Sequence, residues 1–317
     1  MTASAFEIKT LSFRNDGACF RNEDLVISKA RGVISKALGF HFEGTRLHFQ
    51  GTRCHFERTA RAFHGRANHN RSTDARLRGM VWHFLKRYLP RAAWRFRVLG
   101  LIEEVQFWSV WVATKGMSWP HEFAGRLDPM QPLCGDVRDA ARAVPSRRVR
   151  ILDVGAGPVT ALGYVLDGKD IEITAVDPLA AKYARLLRRA GIVPPVPTLA
   201  ADAEALAERF AADSFDIVYA RNSLDHMAAP VDAVAQMVAV TKPGGTLILV
   251  HAVDEAARRR YTGLHQWNLC ASDGDFVIWN ERRRVNVTEM LRPCCRVEAK
   301  VSGESLRVEM RKRAVGD

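Results

Sequence analysis

The sequence predicts an α/β fold, doubly wound about a mostly parallel sheet with an antiparallel C-terminal edge. Three observations predict it. A short apolar strand runs into a glycine turn at Asp153-Val-Gly155-Ala-Gly157, strand-like and helix-like stretches then alternate with polar residues at each strand end, and the last part of the chain alternates as a hairpin.

Taken in order, residues 149–152 form the first strand. Gly155 and Gly157 let the backbone turn sharply and approach a ligand without Cβ atoms, and a helix is expected to start at the apolar residues that follow. Asp153, two residues ahead of the first glycine, can accept hydrogen bonds from a cationic or hydroxylated ligand. That acid argues against a dinucleotide, whose pyrophosphate prefers a bare helix N-terminus, and the third glycine of such a fingerprint is missing at Thr160. Twenty residues after Gly157 the strand IEITAVDP ends in Asp177, where a carboxylate can hold both hydroxyls of a ribose. TLAADAEAL brings Asp202, and residues 215–220 read as a buried parallel strand ending near Arg221 and Asn222, with Asp216 anchoring its start. A helix over 231–240, a KPGG turn and the strand TLILVHA keep the alternation. FVIWNERRRV suggests an extra hairpin before a helix start at Thr288, and CRVEAKV and SLRVEMR pair as antiparallel strands joined at 302–304.

In this order and spacing, ILDVGAGP, AVDP, AADAEAL, SFDIVYARNSLDH and KPGGTLILV resemble five motifs of the class I S-adenosylmethionine-dependent methyltransferase family, and within it the small-molecule branch with the methyltransferase domain 11 pattern. The resemblance covers roughly half of the chain. It implies a Rossmann-like, seven-stranded sheet and S-adenosyl-L-methionine as cofactor. By the same resemblance Gly155, Ala156 and Gly157 line the methionine part, Asp153 lies near its amino group, Asp177 with Pro178 meets the ribose, and Asp202 with Ala203 faces the adenine. Arg221 and Asn222, at the fourth strand end, complete the cofactor set. The departure is Val159, where many relatives carry a third glycine.

Methyl transfer from a sulfonium is an in-line displacement, so the protein mainly aligns donor and acceptor and excludes water. A base is needed only where the acceptor loses a proton. His226, His265 and Tyr261 are the catalytic candidates on the functional edge of the sheet, with His251 placed just past the fifth strand. Residues 101–133 are expected to form a lid, with Leu101, Glu104, Trp108 and Trp111 at helical spacing and 117–133 as a surface loop. Trp119, His121 and Arg126 of the lid, together with Trp267, are the substrate-binding candidates.

Three regions follow: a basic, His/Arg-rich extension without a core over 1–79, a helical lid or cap region over 80–148, and the cofactor-binding domain over 149–313. The formal charge is +12, and the extension contributes fourteen basic against seven acidic residues. It holds a seven-residue repeat in three copies (HFEGTRL, HFQGTRC, HFERTAR) and the histidines His41, His48, His55, His64 and His69, in no zinc-like spacing, so no metal site is predicted. Met80 opens the first well-patterned segment and could itself be a start. Six cysteines without a C-x-x-C pair, no apolar run long enough to span a bilayer and no secretory signal point to the cytoplasm. The partner expected is a small-molecule acceptor. The absence of an Asn-Pro-Pro-Tyr type motif disfavours nucleic acid, while the basic aromatic face from Trp82 to Arg97 leaves peripheral membrane contact open. Two rivals remain at this level: an NAD-type oxidoreductase, and an inactive methyltransferase-like protein that binds RNA or membrane.

Overall fold

The computed structural model describes residues 100–314, all within one compact unit spanning Pro90–Asp317. The extension 1–79, its histidines and the part of the cap region before Gly100 lie outside the described residues.

Ten strands are described, β1 (Arg148–Val154), β2 (Asp170–Val176), β3 (Thr198–Leu199), β4 (Phe215–Arg221), β5 (Thr241–Ala252), β6 (Asn268–Ser272), β7 (Asp275–Trp279), β8 (Arg284–Asn286), β9 (Cys295–Ser302) and β10 (Ser305–Lys312). Seven of them form the main sheet in the order β3-β2-β1-β4-β5-β10-β9. β1 to β5 are parallel and β10 is antiparallel to both β5 and β9, which bears out the expected fold class. The C-terminal hairpin inserts its second strand, not its first, against the parallel set.

The period-two pattern of β1 explains the two layers. Val149 and Ile151 face one side with Ile217, Tyr219 and Ile248, where helix α3 (Gly135–Ala143) lays down Val137 and Ala141. Leu152 and Val154 face the other side with Val218, Ala220, Leu247 and Leu249, under helix α5 (Pro230–Val240). A third cluster joins helix α1 (Leu101–Ala113) to helix α4 (Ala180–Arg189) through Trp111, Val112, Phe123, Val159 and Leu187.

Four expectations need correction. No helix follows the glycine turn: 155–169 is a run of turns, because Pro158, the β-branched pair Val159 and Thr160, and Gly163 and Gly168 at φ +74° and +75° leave no helix-compatible stretch. A Cβ at Gly163 would collide with the Pro132 carbonyl, where 132 bridges to Val165. The segment 117–133 contains helix α2 (Pro120–Leu127), which Pro120 opens at a favourable first position and Glu122 supports through Arg126 one turn on. The extra hairpin is a three-stranded sheet, β6-β7-β8, followed by helix α7 (Val287–Leu291). That helix is capped by Asn286, while Thr288 accepts from the Phe276 amide. His251 lies within β5, paired with Leu306, because the strand extends to Ala252.

Asp216 anchors the strand starts as expected. Its Oδ2 accepts from the Arg150 amide at 2.8 Å and its Oδ1 from Lys242 Nζ at 2.6 Å, tying β1, β4 and β5 together beside the bulge where the β4–β5 register shifts. Asp216→Ala leaves the Arg150 amide and the Lys242 ammonium without this partner. It should cost about 2 kcal/mol, a fall of roughly 4–8 °C in thermal denaturation; an unchanged melting temperature would remove Asp216 from the account of the sheet.

Candidate active site

The strand order reverses between β1 and β4, so the chain leaves their carboxyl ends in opposite directions and opens a crevice there. The glycine turn forms its floor. Gly155 and Gly157 have φ of +73° and +66°, a region that L side chains avoid. The Gly155 and Ala156 amides donate to the Val176 carbonyl, the Gly157 amide donates to Asp177 Oδ2 at 3.2 Å, and Thr198 Oγ1 donates to the Gly157 carbonyl at 2.8 Å. The space left by the missing Cβ atoms is used by the protein itself. A Cβ on Gly155 would run into the Ser223 side chain, and one on Gly157 would stand 2.7 Å from the Trp108 ring.

Asp177 stands at the end of β2 with Oδ1 accepting from the Leu179 amide at 2.8 Å. Burial pushes its carboxyl up to about 6, against the pull of its two amide donors, and the Glu104 and Asp153 charges push the same way. A carboxylate offers about four lone-pair positions, so two remain for incoming hydroxyls. Asp153, expected near a ligand, lies at the C-terminal end of β1. It is buried against Thr160, whose Oγ1 donates to it at 2.6 Å, and burial raises its carboxyl to about 6; here it organises the turn from beneath. Pro178, Asp202, Arg221 and Asn222 are exposed around the crevice and Ala203 is buried. Asn222 takes φ +47° while its amide donates to the Val250 carbonyl.

Helix α1 lies against the turn. Its N-terminal end abuts the loop 261–267, where Gly100 meets Leu264 and Gly263 meets Glu103, and Trp108 lies against Gly157. Glu104 Oε1 accepts from Trp108 Nε1 at 2.7 Å, and Glu104 Oε2 is 3.9 Å from His226 Nδ1. Arg126 Nη1 donates to the Val159 carbonyl at 2.9 Å, with its guanidinium 5.6 and 5.3 Å from the Trp108 and Trp111 rings; it ties α1 and α2 to the turn. Trp119 is 54% exposed and His121 is exposed, and among the described residues neither ring makes a hydrogen bond or ring contact. Trp267 packs on the main core.

Beyond β4, Asp225, His226 and His265 converge. Asp225 Oδ2 is 2.7 Å from His265 Nδ1 and 3.6 Å from His226 Nε2, and the two ring nitrogens are 3.2 Å apart. The Gln266 amide donates to the Asp225 carbonyl and the Gln266 side chain to the Tyr261 and Gly263 carbonyls, which pins the loop onto this corner. Burial pushes the Asp225 carboxyl up, but His226 and His265 beside it outweigh that and hold it below the ordinary carboxylate range. Tyr261 is not among them: its hydroxyl accepts from Asn268 Nδ2 at 2.9 Å. His251, 2% exposed, has no partner for either ring nitrogen, and burial lowers its imidazole to about 4. Sequence reasoning missed Asp225, Glu104, Thr160 and Ser223. An acid beside His226 in SLDHM was the one signal available for Asp225.

Residues 152–249 match the family described as methyltransferase domain. A demethylmenaquinone methyltransferase of Renibacterium salmoninarum is 38% identical over 113 residues, covering 36% of this chain and 44% of the relative. An uncharacterized methyltransferase of Mycolicibacterium vanbaalenii is 31% identical over 140 residues, covering 43% and 52%. The chain thus spans about half the length of these curated relatives. Among solved structures, the 1,6-didemethyltoxoflavin-N1-methyltransferase of Burkholderia thailandensis, with 1,6-didemethyltoxoflavin and S-adenosylhomocysteine bound, is 18% identical at a TM-score of 0.39, covering 71% of this chain and 92% of that one.

The neutral, buried state of His251 carries a pH signature. Its folded pKa of about 4 lies below the ordinary 6.5, so the unfolded chain binds a proton that the folded chain refuses, and stability is lost as pH falls from 6.5 towards 4. Asp153 and Asp177, raised to about 6, act in the opposite sense between about 6 and 3.8. His251→Phe leaves those acids in place, so the variant should outlast the parent increasingly below pH 6.5, by up to about 3 kcal/mol near pH 4 in urea titrations. Parallel pH profiles would show that His251 titrates freely.

Proposed function

We propose that the chain is a class I S-adenosylmethionine-dependent methyltransferase, residues 152–249 matching the methyltransferase domain family, and that it methylates an oxygen of a small-molecule acceptor at the crevice between β1 and β4. The observation that carries this reading is the pairing, on one sheet edge, of a ribose-type acceptor at Asp177 with the Asp225–His226–His265 cluster.

The residues present fit the cofactor. Asp177 keeps lone pairs for two ribose hydroxyls, the 155–157 backbone bounds the methionine part, and Asp202 with the neighbouring buried Ala203 borders the adenine position. S-adenosyl-L-methionine, when bound, supplies a methyl group that is displaced in line, the C–S electron pair leaving to a neutral thioether. The chain's own residues do the rest. Trp108 and Glu104 on α1 cover the crevice and exclude water. The acceptor loses its proton at the corner where Asp225, His226 and His265 converge. The relative named demethylmenaquinone methyltransferase supports a small-molecule acceptor. The dinucleotide alternative has less support, since the glycine turn leads into no helix N-terminus and its amides are already bonded within the protein.

Incubation with methyl-labelled S-adenosylmethionine and fractionated cell extract tests the activity: label should enter a low-molecular-weight fraction, and label confined to protein or RNA would overturn the acceptor class. S-adenosylhomocysteine should raise the melting temperature where NADH does not. Ribose hydroxyls need an ionised acceptor, so affinity for S-adenosylhomocysteine should hold above about pH 7. It should then fall as pH drops through the Asp177 value of about 6, by roughly tenfold between pH 7.5 and 5. Asp177→Asn should bind at least tenfold more weakly with a flat pH profile in calorimetry; undiminished affinity would reject the ribose assignment.

A further inference from the structure

We propose that Asp225, His226 and His265 form a binding site for a borderline divalent transition-metal ion, for which Zn2+ is the probe. Three donor atoms meet at one corner, Asp225 Oδ2, His226 Nε2 and His265 Nδ1, separated by 2.7, 3.2 and 3.6 Å. Ligands about 2.0–2.1 Å from a tetrahedral metal stand about 3.3 Å from one another, so the triangle is already close to the spacing that one ion imposes. Hydrogen bonding alone serves it poorly. A single proton between His265 and Asp225 leaves the His226 lone pair facing the same His265 nitrogen, whereas a cation at the centre satisfies all three donors at once.

The donor chemistry selects the ion. Two imidazoles and one carboxylate suit Zn2+, Co2+ or Ni2+ rather than Mg2+ or Ca2+, which prefer oxygen-only shells. Asp225 is 6% exposed, and His226 and His265 are 23% and 26% exposed, so the corner is shielded yet open on one side. Three protein ligands with an open position is the pattern of a site that takes a further oxygen ligand. Around it, Glu104 Oε2 stands 3.9 Å from His226 Nδ1, the nitrogen that a metal-bound His226 turns outward and on which a carboxylate orients a ligating ring. A second, independent observation is His251, buried without a partner for either ring nitrogen, on the strand beside β4 and within electrostatic reach of Asp225 and His226. A water on the metal would give such a group the donor it lacks.

What the ion would do rests on the methyl-transfer reading: it takes the acceptor oxygen as its fourth ligand and lowers that oxygen's pKa, the proton leaving to solvent, so that the cluster activates the nucleophile as a Lewis acid instead of through a free imidazole. Binding itself does not rest on that reading, and it is tested without cofactor or acceptor. The full chain, stripped with chelator, should take up one equivalent of Zn2+ at this site in competition with a chromophoric chelator, and Co2+ should give the visible absorption of a nitrogen- and oxygen-ligated site. His226→Ala and His265→Gln, checked for folding by thermal melting, should each weaken this uptake at least tenfold. No stoichiometric uptake overturns the site, as does uptake unchanged in the double variant, which would move the metal to the histidines of 41–69. S-adenosylhomocysteine binding without Zn2+ uptake would sink this inference alone, and Zn2+ uptake without methyl transfer would sink the proposed activity alone.

Discussion

Parallel strands put all their carboxyl ends on one edge, and the reversal of strand order between β1 and β4 prevents the chain from bridging those two ends directly. Everything that carries chemistry here depends on that gap. Asp177 closes β2 on one side of it, Asp225 and His226 follow β4 on the other, and the glycine turn of β1 lies between them. At the opposite edge Asp216, between Arg150 and Lys242, ties β1, β4 and β5 together.

The crevice is stiffened by unusual means. In the absence of a helix after β1, the turn is held from beneath by the buried Asp153–Thr160 bond and from above by Arg126 on the Val159 carbonyl and by the Trp108 ring on Gly157. Both glycines are therefore needed for contacts within the protein as well as for the course of the backbone. Helix α1 meets different partners along its length, the 261–267 loop at one end and the turn and α4 at the other.

The parallel strands were legible because each is a short apolar run closed by polar residues, and Asp177 was legible because its distance from Gly157 is set by the strand that must lie between them. The absent helix after β1 was not. The apolar residues Val159, Ala161 and Leu162 suggest a helix, but Pro158 and the positive-φ glycines break it, and Pro132, 31 residues from Gly163, crosses too close for a side chain there. The same holds for the histidine corner. His226 and His265 could be named singly, but their union with Asp225 spans 39 and 40 residues of sequence and exists only once the loop after α6 (Glu255–Arg258) folds back. Trp119 reads as functional because it is an aromatic in a proline-bounded segment; its exposure just ahead of the short helix α2 that Pro120 starts was not legible.

The position of β10 also bears on how the protein is made. It comes last of the ten strands in synthesis, yet it sits inside the sheet, bonded along β5 from Ser305 to Arg311 on one side and along β9 on the other, with Lys312 reaching the carbonyls of Val238 and Thr241 at the foot of α5. Until the ribosome has delivered Lys312, the long strand β5 presents a row of unpaired amides and carbonyls next to the finished parallel half. The nascent chain can therefore assemble the crevice before its sheet is sealed, and the interval between those two events is when it is most open to capture by chaperones or by the β5 edge of another unfinished copy.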